Sequence, residues 1–170
     1  MRRSAMVHST VVSSFSRRTP LNIEDLGKGL FGDGGASGIG QALARRFVNE
    51  GAEAVIIADL NGDAVSAVAT EIGAQSFAVD VRDESAIAAM VAAVEAEFGR
   101  IDLFCSNAGI LGVDGAPWWA TGAENDLWQR MWEIHVMSHV YAARACLPAM
   151  IERGDGYFLN TASAAGLLAQ

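Results

Sequence analysis

The residues best suited to chemistry in this sequence begin at a glycine-rich turn. Residues 33–40 read Asp-Gly-Gly-Ala-Ser-Gly-Ile-Gly and open a stretch with helical spacing. Gly34, Gly38 and Gly40 leave the backbone accessible, and a helix that starts here directs its first N–H groups and the positive end of its dipole at the turn. The turn could therefore hold a phosphate or pyrophosphate. The alternative is a tight connection that binds nothing.

A carboxylate follows at a spacing typical of dinucleotide-binding folds. Residues 54–58 form a continuous apolar run, as expected for a strand buried on both faces, and the run ends at Asp59. An acid about twenty residues beyond the glycines accepts hydrogen bonds from the adenosine ribose hydroxyls in such folds. The alternative is a solvated acid at a strand end. The glycine-rich turn and Asp59 together predict a site that binds a dinucleotide.

The elements that must position these residues alternate between strands and helices. Strands are predicted at 28–32, 54–59, 75–79, 101–106 and 156–161. Helices are predicted at 39–50, at 62–72 after an Asn61 cap, between an Asp83 cap and Gly99, and at 125–153. Five strands joined by right-handed helical crossovers give an α/β fold with a doubly wound parallel sheet.

Length and charge limit the possible functions. The chain has 170 residues and a net charge of −8, which fits one domain and argues against a nucleic-acid or anionic-membrane surface. No apolar run is long enough to span a bilayer. Cys105 and Cys146 lie in apolar segments and are interpreted as reduced core residues of an intracellular protein. No Cys/His cluster has the spacing of metal ligands, so no metal is expected.

Residues 1–22 differ in composition from the rest of the chain. They contain four arginines, several serines and no acidic residue. This composition resembles a mitochondrial transit peptide. The preferred interpretation is a disordered leader, or a segment that is included only because the start codon was placed too far upstream. A single domain is therefore expected at residues 23–170. A cytoplasmic location is expected, with mitochondrial targeting as the lesser alternative.

Five motifs resemble those of the short-chain dehydrogenase/reductase family, in the family's order and spacing. They are Gly34-x-x-x-Gly38-x-Gly40, Asp59, Asp80-Val81, Asn107-Ala108-Gly109 and Asn160-Thr161-Ala162-Ser163-Ala164-Ala165-Gly166. The resemblance implies a Rossmann-type fold and hydride transfer between a nicotinamide cofactor and a small alcohol or carbonyl substrate. A methyltransferase-like Rossmann domain is the less favoured alternative, since the Asn-Ala-Gly turn and the Ser163 segment argue against it.

The resemblance also implies the site. Asp80 and Val81 would line the adenine pocket, the Asn107 turn would flank the cofactor or serve only as a structural turn, and Ser163 would hydrogen-bond the reacting oxygen. The predicted cofactor-binding residues are Gly34, Ser37, Gly38, Ile39, Gly40, Asp59, Leu60, Asp80, Val81, Asn107, Ala108 and Gly109. NAD is expected over NADP, because Ser37, Asp59 and Leu60 stand where a 2′-phosphate would need a cation.

The sequence departs from the family's pattern at several positions. The family places a tyrosine about a dozen residues after its serine and a lysine four residues further on, as the acid/base pair. Residues 1–170 contain no Tyr-x-x-x-Lys, and Lys28 is the only lysine. The chain is therefore expected to be a C-terminally truncated family member, with a catalytically inactive protein that at most binds NAD(H) as the alternative. The family's dimer helices would be incomplete, which puts a homo-oligomer in doubt.

Other departures concern single side chains. His135 stands where the family's long helix usually carries an asparagine, and it would either support proton transfer or be a core histidine. Asp33 follows a glycine-interrupted first strand and would bring a negative charge close to the pyrophosphate. Trp128 and Trp132, four residues apart, are predicted to pack at the base of the long helix, while Trp118 and Trp119 are possible substrate contacts.

Overall fold

The computed structural model describes residues 8–14, 30–111 and 122–163. The strands are β1 (His8–Ser14), β2 (Leu30–Asp33), β3 (Val55–Asp59), β4 (Gln75–Ala78), β5 (Leu103–Ser106) and β6 (Tyr157–Ser163). The helices are α1 (Gly38–Asn49), α2 (Gly62–Ile72), α3 (Glu84–Phe98), α4 (Asn125–Trp132) and α5 (Ser138–Arg153). A π-helical segment, Glu133–Met137, joins α4 to α5.

The strands form one sheet in the order β1-β6-β5-β2-β3-β4. Strands β2 to β6 pair in parallel, and β2 lies between β3 and β5. The chain first runs from β2 to β4 on one side and then crosses to β5 and β6 on the other. This confirms the predicted doubly wound parallel sheet. It also places the topological switch point, where such sheets bind ligands, between β2 and β5.

Helices cover both faces of the sheet. Successive residues of a strand point to opposite faces, so Ile56 and Phe104 pack with the residues of α3 and α5, including Val94 and Met150. On the other face Ile57 and Leu103 pack with the residues of α1 and α2. The sheet is therefore buried on both sides, which explains the continuous apolar runs in β3 and β5.

Helix ends lie close to where capping residues predict them. The Asn61 side chain accepts a hydrogen bond from the Ala64 N–H at 3.0 Å, and Gly73 closes α2 with a φ of +74°. The Asp83 carboxylate likewise caps α3, which ends at Gly99 with a φ of +85°. A left-handed residue at this position favours glycine, because other side chains are strained there.

The first strand, β1, departs from the sequence-based expectation. Residues 1–22 were expected to lie outside the fold, but His8–Ser14 pairs antiparallel with β6, from His8 opposite Ser163 to Ser14 opposite Tyr157. Without β1, β6 would be the edge strand of the sheet and would present unpaired N–H and C=O groups. The segment Thr10-Val11-Val12 has the β-branched residues that favour pairing with such an edge. Residues 1–7 and 15–22 lie outside the described residues.

The tryptophans of α4 also differ from their prediction. Trp128 and Trp132 are 53% and 56% exposed, so the prediction that they pack at the base of the helix is wrong. Their spacing correctly places them on one helical face, but spacing does not say whether that face meets the sheet. Trp118 and Trp119 lie outside the described residues. Within the described ranges, no helix has both the length and the apolarity needed to cross a membrane.

Candidate cofactor-binding site

The predicted site residues converge at one edge of the sheet. The glycine turn follows β2, Asp59 ends β3, Asp80 follows β4, the Asn107 turn follows β5 and Ser163 ends β6. All of them therefore lie at or beyond the carboxyl ends of parallel strands. The glycine turn and the Asn107 turn flank the switch point between β2 and β5, where an open α/β sheet has room for a ligand.

Close packing explains several of the glycines. A Cβ on Gly40 would lie 2.2 Å from the Gly34 carbonyl oxygen and 2.8 Å from Asn107 Nδ2. Gly34 has a φ of +65°, which other residues rarely adopt. Gly35, which the sequence analysis did not single out, is equally constrained, because a Cβ there would lie 2.7 Å from Ile57 Cβ. These glycines bring the turn close to β3 and β5.

Gly38 has a different environment. Its φ is +57°, but no atom lies within 4 Å of a Cβ added there, so packing does not explain it. Gly38 begins α1 and is exposed, as is Ile39 beside it. A Cβ at position 38 would therefore meet open space beside the first turn of α1, and helix N-termini are sites where anions bind.

The N-terminus of α1 lacks the protein groups that cap its neighbours. Within the described residues, the side chain of Ser37 makes no capping hydrogen bond, and the first turn of α1 contains no acidic residue. By contrast, α2 and α3 are each capped by a side chain and carry an acid in their first turn. The first N–H groups of a helix need acceptors from outside it. At α1 an external anion can supply them.

Asp59 is held beside the glycine turn. Its Oδ2 accepts a hydrogen bond from the Ala36 N–H at 3.2 Å, and its Oδ1 accepts one from the Asn61 N–H at 3.0 Å. A carboxylate has about four lone-pair positions, so it retains acceptor capacity for hydroxyl groups. Leu60 is 69% exposed next to it.

Asp80 forms a local ion pair. Its Oδ2 lies 2.6 Å from Arg82 Nη2, and the Arg82 guanidinium lowers the pKa of Asp80, mainly through the hydrogen bond. Val81 packs against the core formed by α3, α5 and the sheet. The structure therefore shows structural contacts for both residues, and their place in an adenine pocket stays a prediction.

Asn107 connects three elements. Its Oδ1 accepts a hydrogen bond from Thr161 Oγ1 at 2.8 Å, and its Nδ2 donates weakly to the Asp33 carbonyl oxygen at 3.4 Å. These contacts join the ends of β2, β5 and β6. The structural role that the sequence left open for Asn107 is thus present, and it holds the turn in place beside the switch point.

Asp33 has a role that sequence reasoning missed. Its carboxylate is directed at the β5 turn, where Oδ1 accepts hydrogen bonds from the N–H groups of Asn107 and Ala108, the latter at 2.6 Å. The side chain is 2% exposed. Burial raises the pKa of Asp33 from 3.8 to about 6, against the opposing effect of its hydrogen bonds. An acid at the end of a central strand was the available signal, but sequence does not reveal where the carboxylate points.

His135 lies in the π-helical segment and contacts the loop after the Asn107 turn. Its Nε2 is 3.0 Å from the Ile110 carbonyl oxygen and 3.3 Å from the Ile110 nitrogen. The residue is exposed, so the alternative of a buried core histidine is excluded. A Cβ on Gly109 would lie 3.1 Å from His135 Cε1, which shows how closely the loop and the helix approach.

Ser163 ends β6 and is partly buried. It lies three residues beyond Asn160, which pairs with Ser106 at the end of β5. This register brings Ser163 to the same edge as the Asn107 turn. The motif residues after it, Ala164 to Gly166, lie outside the described residues.

The two cysteines are free and buried in the core, as predicted. Burial raises the pKa of Cys105, and it raises the pKa of Cys146 to about 12, so both thiols are protonated and unreactive at neutral pH. Among the described residues, no group of three or more His, Cys, Asp or Glu side chains could hold a metal ion.

Comparison with known proteins gives consistent matches. The family model described as short chain dehydrogenase matches residues 33–170. A curated relative, 2-dehydro-3-deoxy-L-rhamnonate dehydrogenase (NAD(+)) from Sphingomonas sp. (strain SKA58), is 40% identical over 134 residues, which cover 78% of this chain and 52% of the relative. The chain thus spans about half the length of the curated relatives it matches.

Solved structures show the same fold. A 3-ketoacyl-(acyl-carrier-protein) reductase from Brucella melitensis, complexed with NADH, superposes with a TM-score of 0.68 at 31% identity, covering 74% of this chain and 51% of that one. A metagenomic short-chain oxidoreductase in complex with NADP gives a TM-score of 0.70 at 30% identity, covering 76% and 59%. Structural neighbours therefore include complexes with either nicotinamide cofactor.

Proposed function

Because this chain belongs to the short-chain dehydrogenase family, we propose that its site binds a nicotinamide dinucleotide for hydride transfer to or from a small alcohol or carbonyl compound. The observation that carries the proposal is the N-terminus of α1. It lies at the switch point, it has no side-chain cap, its first turn contains no acidic residue, and a Cβ at Gly38 would have no atom within 4 Å. The pyrophosphate of a dinucleotide fits this donor set.

The other residues would hold the rest of the cofactor. Asp59 would accept hydrogen bonds from the adenosine ribose, since it is fixed beside the glycine turn and has lone pairs to spare. Asp80 and Val81 would border the adenine, and residues 107–109 would flank the nicotinamide half. When bound, the nicotinamide supplies the group that accepts or donates the hydride.

We favour NAD over NADP for this site. A 2′-phosphate on the adenosine ribose would face the Asp59 carboxylate, and neither Ser37 nor Leu60 offers a positive charge. Similar proteins use different cofactors: one curated relative is named for NAD(+), and one solved structural neighbour is a complex with NADP. The preference therefore depends on the carboxylate of Asp59.

Ser163 and His135 are the proposed reaction residues. The Ser163 hydroxyl would donate a hydrogen bond to the reacting oxygen and stabilise negative charge that develops on it. His135 would fix the Ile110 loop through its Nε2 and support proton transfer beside the Asn107 turn. Residues 1–170 contain no Tyr-x-x-x-Lys segment, from which the family supplies its acid/base pair. The second candidate function, for these residues alone, is binding of the dinucleotide without turnover.

A titration with NADH, followed by its fluorescence, tests the proposal. We expect saturable binding, and Asp59→Ala should weaken it by about five- to 150-fold, the effect of losing hydrogen bonds to a charged group. Asp63→Ala removes an equal charge from an exposed position on the neighbouring helix and serves as the matched control. In Asp59→Ala, the affinity for NADPH should increase relative to the affinity for NADH.

The same samples separate the two candidate functions. Consumption of NADH with any ketone of a chosen panel supports catalysis by this chain, while binding without consumption supports the second candidate. If NADH does not bind, the proposed site is refuted. If Asp59→Ala binds NADH as tightly as the wild type, Asp59 does not belong to the site.

A further inference from the structure

Three polar side chains outside the family motifs form a continuous hydrogen-bonded chain beneath the site. Ser106 Oγ lies 3.4 Å from Asp33 Oδ2, and His139 Nδ1 lies 2.6 Å from the same Ser106 Oγ. Asp33 and Ser106 are 2% and 1% exposed, and His139 on α5 is partly buried. The chain thus runs from the core at the switch point to the helical layer.

The hydrogen-bond directions depend on the charge of Asp33. When the carboxylate is ionised, the Ser106 hydroxyl donates to it and therefore accepts from the Nδ1–H of His139. When Asp33 is protonated, it can donate to Ser106, which then donates to an unprotonated Nδ1. Neutral His139 consequently has one tautomer in each state. On ionisation the Asp33 Oδ2–H bond breaks and its proton passes to Ser106 Oγ, while the Ser106 proton passes to His139 Nδ1. The Nε2–H bond of His139 breaks and that proton leaves to solvent, so His139 stays neutral and one proton is released in total.

The same carboxylate also fixes the two turns of the site. Its Oδ1 accepts hydrogen bonds from the N–H groups of Asn107 and Ala108. Asp33 is also the residue that directly precedes Gly34, the first glycine of the glycine turn. A change of charge at Asp33 therefore occurs at the junction of both turns. The pyrophosphate proposed to sit on the glycine turn is itself negatively charged, so it and an ionised Asp33 repel each other in a poorly screened environment.

We propose that Asp33, Ser106 and His139 form an acid–base chain that positions the two cofactor-binding turns, and that ionisation of Asp33 weakens the binding of a nicotinamide dinucleotide. This inference rests on the proposed function, because it concerns regulation of the same site. Asp33 is a positioning residue here. It acts on the cofactor through the Asn107 turn and through its charge.

The charged and titratable groups around Asp33 come from each element packed against it. Burial opposes the ionisation of Asp33, as does Asp59 at the end of β3, and these effects raise the pKa of Asp33 to about 6. Cys105 on β5 is protonated. On the helical side burial and the nearby His135 lower the pKa of His139, so the imidazole is neutral near pH 7.

NADH affinity measured between about pH 5.5 and 8 tests the proposal in the full chain. If bound NADH raises the pKa of Asp33 from about 6 to about 7, the affinity of the wild type for NADH falls about sevenfold across this range. Asp33→Asn keeps an acceptor for both N–H groups and a donor for Ser106, so it should bind NADH at pH 8 as tightly as the wild type does at pH 5.5. Asp33→Thr, which also carries no charge, should likewise lose the pH dependence.

Nitrogen NMR of the histidine rings provides a second readout without a variant. In the wild type the neutral form of His139 should change from the Nε2–H tautomer below about pH 6 to the Nδ1–H tautomer above it, and Ser106→Ala should abolish the change. If wild type and Asp33→Asn or Asp33→Thr show the same pH slope, or His139 keeps one tautomer, the inference is wrong while the proposed function stands. If the wild type binds no NADH at any pH, the proposed function fails and this inference fails with it.

Discussion

The buried carboxylate of Asp33 should reduce the stability of the protein at neutral pH, and its replacement by asparagine should reveal this. Burial raises the pKa of Asp33 from 3.8 to about 6, so the native state binds this proton more tightly than the unfolded chain does. The stability that the protonated group confers is complete below pH 3.8 and is lost as the pH rises through about 6. Asp33→Asn carries no charge at any pH and avoids the loss.

The magnitude follows from the two pKa values. A pKa of about 6 against 3.8 corresponds to about 3 kcal/mol once the group is fully ionised. Asp33→Asn should therefore exceed the wild type in free energy of unfolding by about 1 kcal/mol near pH 4.5 and by about 3 kcal/mol near pH 7.5. The variant preserves the hydrogen-bond partners, because its amide oxygen can accept from Asn107 and Ala108 and its NH₂ group can donate to Ser106.

Urea unfolding of both proteins at these two pH values provides the measurement. Glu152→Gln removes the same charge from an exposed position on α5 and should change stability by no more than about 0.5 kcal/mol. The reasoning is refuted if the free energies of unfolding of Asp33→Asn and the wild type differ by the same amount at both pH values. It is equally refuted if the variant is the less stable protein at pH 7.5.

Three further outcomes follow from the packing. Gly40→Ala should destabilise the fold by about 1–3 kcal/mol and abolish NADH binding, since its Cβ would lie 2.2 Å from the Gly34 carbonyl oxygen. Urea unfolding measures the first effect, and an NADH titration measures the second. Gly32→Ala should stabilise by about 0.5–1 kcal/mol in the same unfolding assay, because its Cβ would meet Cys105 Cβ at an ordinary 3.5 Å. Cys105 and Cys146 should react with a thiol reagent only after unfolding, and fast labelling of the native protein would contradict their burial.

Local signals predicted much of the fold. Asn61 and Asp83 were recognisable as caps, and Gly73 and Gly99 as helix ends, because each satisfies a local requirement of the backbone. The apolar run before Asp59 likewise indicated a strand buried on both faces, and it is one. Features of this kind depend on neighbours in sequence, so a single sequence is enough to find them.

Features that depend on distant parts of the chain were missed. The contacts of Asp33 join it to residues more than seventy positions away, and those of Ser106 reach α5. The exposure of Trp128 and Trp132 depends on where α4 lies, and the pairing of His8–Ser14 depends on the free edge of β6. The sequence indicated which residues are unusual, but their partners are determined by tertiary structure.

The central claim is that a nicotinamide dinucleotide binds between the glycine turn and the Asn107 turn. Amide ¹H–¹⁵N spectra of the full chain during an NADH titration test it most directly, because each backbone N–H reports its own surroundings. The account predicts saturable shifts concentrated at residues 34–40, at Asp59 and at residues 107–109, with those of the first turn of α1 among the largest. An unchanged spectrum, or shifts confined to other parts of the chain such as α4, would contradict it.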